Sequence, residues 1–203
     1  PEDWLPDHTV DTVSGQDRFL LDALAGLQKT PKEIPGKYLY DRQGWELFVQ
    51  ICTLPEYYLA RKELDILRDH GNEIAGTIGP RCEIIEYGSG NAERIGVLLN
   101  CLKAPLTYYP IDICGEQLFR ACDELRATWP GLRIQPVCTD FTGPVELPDP
   151  PMVRGHWEAD GILRTARRLA FVPGSAIGNF TPDEAVGFMR QIGRTVGPGG
   201  MLL

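Results

Sequence analysis

The chain has no two cysteines in Cys-x-x-Cys spacing, and its three histidines, His8, His70 and His156, stand apart from one another. Zinc-binding modules need closely spaced Cys/His sets, so no metal is expected. The six cysteines, Cys52, Cys82, Cys101, Cys114, Cys122 and Cys138, read as small, mostly buried hydrophobes of a reducing compartment, and a cytoplasmic location is the expectation. No apolar run approaches the ~18 residues that span a membrane. Positive charge is also short: Lys+Arg 20 against Asp+Glu 28 gives a net −8. An acidic chain lacks the footprint for general binding to nucleic acid or anionic lipid. Residues 1–17 are polar and rich in Pro and Asp, without the basic-then-apolar order of a targeting peptide. What remains is 203 residues, 43% hydrophobic and 24% charged, enough for one sizeable core. The end, Gly199-Gly200-Met201-Leu202-Leu203, reads as a fifth strand just starting. A portion of a longer protein is therefore expected, with the sheet and the substrate pocket incomplete at the C-terminus.

Apolar spacing predicts helices over Asp17–Lys29, capped by Ser14 or Asp17, over Gly44–Thr53, and over Ala60–Ile78. Pro31, Pro35 and Gly36 break the first from the second, and Leu54-Pro55-Glu56-Tyr57-Tyr58 interrupts before the third. After Gly79-Pro80 the period changes. Strands are predicted over Cys82–Tyr87, Leu106–Ile113, Leu132–Cys138 and Arg168–Val172, with helices over Asn91–Leu102, Gly115–Thr128 and Pro182–Val196. The last of these has Thr181 as N-cap and Pro at its first position. Residues 142–167, with Pro144, Pro148, Pro150 and Pro151, read as a long connection without a clear strand and with a helix at its end. Strands alternating with helices make an α/β fold of parallel βαβ units. The organisation expected is a helical N-terminal segment, 1–79, that contributes to the substrate pocket, followed by a Rossmann-like doubly wound domain, 80–203.

Ligands of such sheets bind beyond the carboxyl ends of the strands, and four ends carry informative residues. The first reads Glu86-Tyr87-Gly88-Ser89-Gly90-Asn91-Ala92. Two glycines let the backbone bend and approach a ligand, with a helix N-terminus following. A dinucleotide site wants a third glycine where this chain has Glu93, a charge that would face a pyrophosphate badly. The Glu-x-Gly-x-Gly form suits S-adenosylmethionine (SAM), whose cofactor chemistry brings a sulfonium and no phosphate; an ordinary βα turn is the other reading. Asp112 ends the second strand about 20 residues later, where an acid accepts both ribose hydroxyls or else caps the next helix. Asp140-Phe141 ends the third, an acceptor for an adenine amino group beside an aromatic face, or a polar turn. The fourth, Pro173-Gly174-Ser175-Ala176-Ile177-Gly178-Asn179-Phe180, lacks an Asn/Asp-Pro-Pro-Tyr-like motif. Its glycines and Asn179 suit the carboxylate or amine of a small polar ligand, or a turn capped by Asn179 or Thr181.

Taken with Lys37-Tyr38-Leu39-Tyr40-Asp41, Gly44 and Leu54-Pro55-Glu56-Tyr57-Tyr58, these strings resemble the SAM-dependent histidine Nα-methyltransferases of ergothioneine biosynthesis, from about Phe19 to Leu203. The resemblance implies that Gly88, Ser89, Gly90, Asp112, Asp140 and Phe141 hold SAM. It implies that Tyr40 closes over the cofactor and that Arg94 stands where the family usually carries a Lys near the cofactor carboxylate. Tyr57 and Asn179, with Gly174 close by, match positions that hold the amino-acid substrate. Members are considerably longer; a Tyr at the substrate carboxylate and an acid plus a Ser at the imidazole lie beyond Leu203. Related fungal enzymes methylate a tryptophan derivative, so amino-acid N-methylation is the firmer implication and L-histidine, methylated successively to hercynine, the finer one. Methyl transfer needs alignment of a neutral amine with the methyl group. Tyr40, Tyr57 or water is the expected relay for the amine proton, no strong base being evident, and Tyr40, Tyr57 and Tyr58 offer aromatic faces to a growing cation. The lesser reading is that these tyrosines anchor the front helices to the sheet.

Overall fold

A computed structural model describes residues 15–90, 92–148, 155–157 and 163–203. Three helices lead: α1 (Gly15–Leu27), α2 (Arg42–Thr53) and α3 (Leu59–Ile78). Then follow β1 (Glu83–Tyr87), α4 (Ala92–Cys101), β2 (Thr107–Asp112), α5 (Gly115–Thr128), β3 (Arg133–Ile134), β4 (Val137–Cys138), β5 (Gly155–Trp157), β6 (Leu163–Thr165), β7 (Arg168–Phe171), α6 (Pro182–Val196) and β8 (Met201–Leu202). Ser14 and Asn91, read as a cap and a helix start, lie outside the described residues.

The main sheet runs β3-β2-β1-β7-β8, with β4 also pairing β2, and its pairings are parallel. The chain winds from β1 outward to β3, then crosses to β7 on the other side of β1. That reversal makes β1/β7 the switch point where a crevice opens at the strands' carboxyl ends. Strand residues alternate between two cores: Ile84, Tyr108 and Leu169 face α3, α4 and α5, whereas Ile85, Tyr109, Ile111 and Ala170 meet Phe188 and Ile192 of α6. Burial on both faces explains why these strands read as continuous apolar runs. α6 is closed at its start by a capping box, with the Thr181 hydroxyl accepting from Glu184 N and Glu184 accepting from Thr181 N.

Two expectations require correction. The strand expected over Leu132–Cys138 is two, β3 and β4: Gln135 N donates to Tyr108 O (2.9 Å) and Thr139 N to Asp112 O (3.1 Å), but between them Pro110 of β2 has no N–H to give to Gln135 O, so the ladder is interrupted. The connection 142–167 does contain strands: β5 and β6 form a separate antiparallel pair, and residues 163–165 are extended where a helix was expected. Three-residue strands are too short to display a period of two, so only their mutual pairing reveals them. The apolar stripe of α1 is helical as read, yet Leu20, Leu21 and Leu24 are more than half exposed. Periodicity forecast the helix and not its burial. Among the described residues no helix is long and apolar enough to cross a membrane.

Candidate functional site

The turn after β1 is built around Gly88, whose φ of +80° belongs to the left-handed region that favours glycine. Gly88 N and Ser89 N both donate to Ile111 O (2.9 and 3.2 Å), tying the turn to β2. A Cβ at Gly88 would lie 3.7 Å from the Phe141 ring, so Phe141 packs on the turn at van der Waals distance. Asp112 lies beneath. Its Oδ2 accepts from Gly90 N (3.1 Å) and its Oδ1 from Cys114 N (2.9 Å). Burial raises the Asp112 pKa, and the N–H donors work against that. Each oxygen keeps a further lone pair, so Asp112 both shapes the loop and retains acceptors for a ligand. Ser89 is 5% exposed and its Oγ has no hydrogen-bond partner among the described residues.

The helical front end closes over this turn. Asp41 caps α2 by accepting from Gly44 N (2.8 Å), and the next residue, Trp45, donates from Nε1 to Gly90 O (3.2 Å). Lys37 reaches Asp140 Oδ2 (2.8 Å) and Asp22 Oδ2 (2.9 Å), while Thr142 donates from its backbone and hydroxyl to Asp140 Oδ1 (2.9 and 2.6 Å). Burial opposes the charge on Asp140, but Lys37 and Thr142 outweigh it and hold the carboxyl below its usual range. Burial likewise opposes the Lys37 charge, and its two acids raise its pKa nonetheless.

On the β7 side Arg94 Nε lies 2.6 Å from Glu63 Oε2, and Glu63 Oε1 accepts from Gly174 N (2.8 Å). Tyr57, Glu63, Arg94, Gly174 and Ser175 line a cavity of about 310 Å³ together with the apolar Ile66, Phe171 and Val172. A shallower hollow of about 400 Å³ between α4 and α5 holds none of the expected site residues. Tyr40, Phe48 and Tyr57 form a row of edge-to-face rings, each pair 6.0 Å apart. Burial pushes the Tyr57 hydroxyl up, so it keeps its proton at neutral pH. Arg61 gathers the carbonyls of Cys52, Leu54 and Pro55 (3.3, 2.8 and 2.9 Å) and so fixes the loop that carries Tyr57. Asn179 ends the 3₁₀ turn Ala176–Asn179 and is exposed, and Tyr58 is 57% exposed. Neither is drawn into the ring row or the cavity lining.

Motif reading singled out the Gly-rich turn, Asp112, Phe141, Arg94 and Tyr57 as candidates. It passed over Trp45 and Glu63, which meet Gly90 and Gly174 across 45 and 111 residues of sequence, and Arg61, whose partners are near in sequence but are backbone carbonyls that no side-chain pattern marks. Of the six cysteines, expected to be mostly buried, only Cys82 and Cys122 are buried; burial lifts both to about 11, and it also raises Cys52 despite Arg94 nearby. Among the described residues no cluster of His, Cys, Asp and Glu could hold a metal ion.

Glu86, at the end of β1, is buried and accepts a hydrogen bond from the Tyr108 hydroxyl. Burial outweighs that bond and the charge of Arg94 and lifts the Glu86 carboxyl well above its usual range, with Asp112 and Glu63 adding to the rise. The native state therefore holds a proton that the unfolded chain releases. Stability is greatest below the ordinary Glu pKa and falls as pH rises above it towards the folded pKa. Glu86→Gln keeps the size and an acceptor for Tyr108. Its Tm should gain on the wild type progressively from about pH 5 to 8; parallel Tm–pH curves would contradict this.

A parallel sheet wound 3-2-1 and then outward on the other side, with a Gly-x-Gly turn after β1 and an acid ending β2, defines the Rossmann-like methyltransferase class. The family model described as "Histidine-specific methyltransferase, SAM-dependent" matches residues 19–203, and the chain belongs to that family. It is 35% identical over 186 residues to the histidine N-alpha-methyltransferase of Mycobacterium tuberculosis, covering 90% of this chain and 53% of that protein. It is 29% identical over 180 residues to the 4-dimethylallyltryptophan N-methyltransferase of Claviceps purpurea, covering 83% of this chain and 48% of the relative. The chain thus spans about half the length of the curated relatives it matches. A solved structure from Thermobifida fusca, described provisionally as a methyltransferase, superposes with a TM-score of 0.50 at 19% identity, over 79% of this chain and 58% of that one. That likeness shows the fold alone.

Proposed function

We propose that the protein is a SAM-dependent N-methyltransferase that acts on the α-amino group of L-histidine and methylates it successively to hercynine. One observation carries this reading: Asp112, which keeps acceptors to spare, and the orphan Ser89 Oγ belong to the turn on which Phe141 packs, and Arg94 of the helix that follows this turn lines the cavity with Tyr57 and Gly174. The residues present suit an adenosyl cofactor. Asp112 would accept from the ribose diol, Asp140 and Phe141 would take the adenine, and Gly88, Ser89 and Gly90 would line the turn, with Tyr40 as part of its cover. Asp140 Oδ1 is filled by the two Thr142 donors, and Oδ2 retains one lone pair beside Lys37 for an amino group. Arg94 would face the amino-acid end. When bound, the cofactor supplies an electrophilic methyl group.

The chain's own residues then orient and deprotonate the acceptor. Tyr57, Gly174 and Asn179 would hold the amino acid. Tyr57, protonated at neutral pH, would pass the ammonium proton on to solvent water as a hydroxyl relay rather than as a phenolate, and Tyr40 is the other candidate for this relay. Residues 1–79 would cover the pocket and 80–203 bind the cofactor. The family assignment and the mycobacterial relative favour histidine; the Claviceps relative sets the competing acceptor.

Calorimetry with S-adenosylhomocysteine, then mass spectrometry of L-histidine or 4-dimethylallyltryptophan incubated with SAM, tests the reading. Expected are cofactor binding and one, two and three methyl gains on histidine. Binding without transfer would reduce the protein to a cofactor-binding module, transfer only to the tryptophan derivative would replace the substrate, and absence of binding would remove the whole reading.

A further inference from the structure

Glu63 lies on α3, outside every strand-end motif, yet its carboxylate joins two parts of the candidate site. Oε2 lies 2.6 Å from Arg94 Nε, in the first turn of α4 just past the Gly-rich turn. Oε1 accepts from Gly174 N at 2.8 Å, across 111 residues of sequence. The Arg94 and Glu63 side chains are only 13% and 27% exposed, so the pair is screened less than a surface ion pair. Guanidinium is a rigid planar fork with five N–H donors. Arg94 Nε makes no hydrogen bond among the described residues, so the contact is an ion pair: the Glu63 charge holds the guanidinium in place at the cavity without setting its plane. The Gly174 N–H anchors the second oxygen, so the carboxylate cannot swing away without leaving a backbone donor unpaired. Arg94 and Glu63 both line the 310 Å³ cavity beside Tyr57.

We propose that Glu63 is a positioning residue that presents the Arg94 fork to the amino-acid carboxylate of the cofactor. This rests on the cofactor reading above. The role predicts selectivity between two ligands that share adenosine: S-adenosylhomocysteine carries the amino-acid tail, and 5′-methylthioadenosine lacks it.

Calorimetry on the intact protein tests this. Glu63→Ala should weaken S-adenosylhomocysteine about tenfold or more, as expected for a mis-set charge-assisted contact, and leave 5′-methylthioadenosine within about twofold. Arg94→Ala should show the same selectivity. The double variant should bind S-adenosylhomocysteine no more than about twofold more weakly than Arg94→Ala alone, because both changes remove one interaction. Glu63→Gln is isosteric, keeps an acceptor for Gly174 and replaces the anion facing Arg94; it should reproduce the selective loss if the alanine variant does not fold. Equal losses for both ligands, no loss for either, or additive losses in the double variant would overturn the proposal. A wild type that binds neither ligand would remove the cofactor reading, and this proposal with it, before any variant is compared.

Discussion

Asp112→Ala should weaken S-adenosylhomocysteine binding by about 100-fold or more. Two hydrogen bonds from a ribose diol to a carboxylate contribute ~1.5–3 kcal/mol each, and both are lost together. The substitution does more than remove a ligand contact, because Asp112 also accepts from Gly90 N and Cys114 N. Alanine leaves both N–H groups unpaired under the turn, so part of its effect comes from a loosened loop. Asp112→Asn separates the two contributions. It keeps size and one acceptor, should retain the fold, and should fall between wild type and alanine in affinity. Calorimetry with a Tm control reads both variants; an alanine variant with wild-type affinity would remove Asp112 from the cofactor site.

Gly44→Ala should undo the cover over the Gly-rich turn while sparing the sheet. A Cβ at Gly44 would sit 1.6 Å from Leu39 O, far inside contact distance and against backbone that cannot rotate away. The chain between Leu39 and α2 must move, at a cost of about 1–3 kcal/mol or more. That movement breaks the Asp41 cap and withdraws Trp45 from Gly90 O. Limited proteolysis should cut residues 37–58 readily, S-adenosylhomocysteine affinity should fall about tenfold or more with loss of the ordered cover, and far-UV dichroism should stay near that of the wild type. Resistance to proteolysis with unchanged affinity would show that the front helices close the turn without this contact.

The elements most legible in the sequence are those with chemical punctuation. α6 has Thr181, Pro182 and Glu184 at its start and Gly197 at its end, and its predicted and observed bounds coincide. α5 runs Gly115–Thr128, as its spacing predicts. Punctuation also explains the errors: Pro110 on the neighbouring β2 split one strand into two, and the β5–β6 pair had too few residues to show a period. The candidate site divides in the same way. Gly88, Asp112 and Phe141 are legible because a strand's carboxyl end fixes where its next residue goes. Trp45, Glu63 and Lys37 lie on the front helices, and nothing nearby in sequence says which turn or acid each will meet.

Among the described residues the candidate site is built from carboxylates, hydroxyls, rings and one guanidinium pair. By itself the sequence determined an α/β sheet with a Gly-rich turn and acids at successive strand ends, because local periodicity and turn chemistry act within a few residues. Only the tertiary structure decided that Asp112 holds the turn, that Lys37 sits on Asp140, and that Glu63 joins Arg94 to Gly174. Those are pairings of charges and backbone donors brought together by the crossing at β1, and their partners are unknown until the sheet is wound.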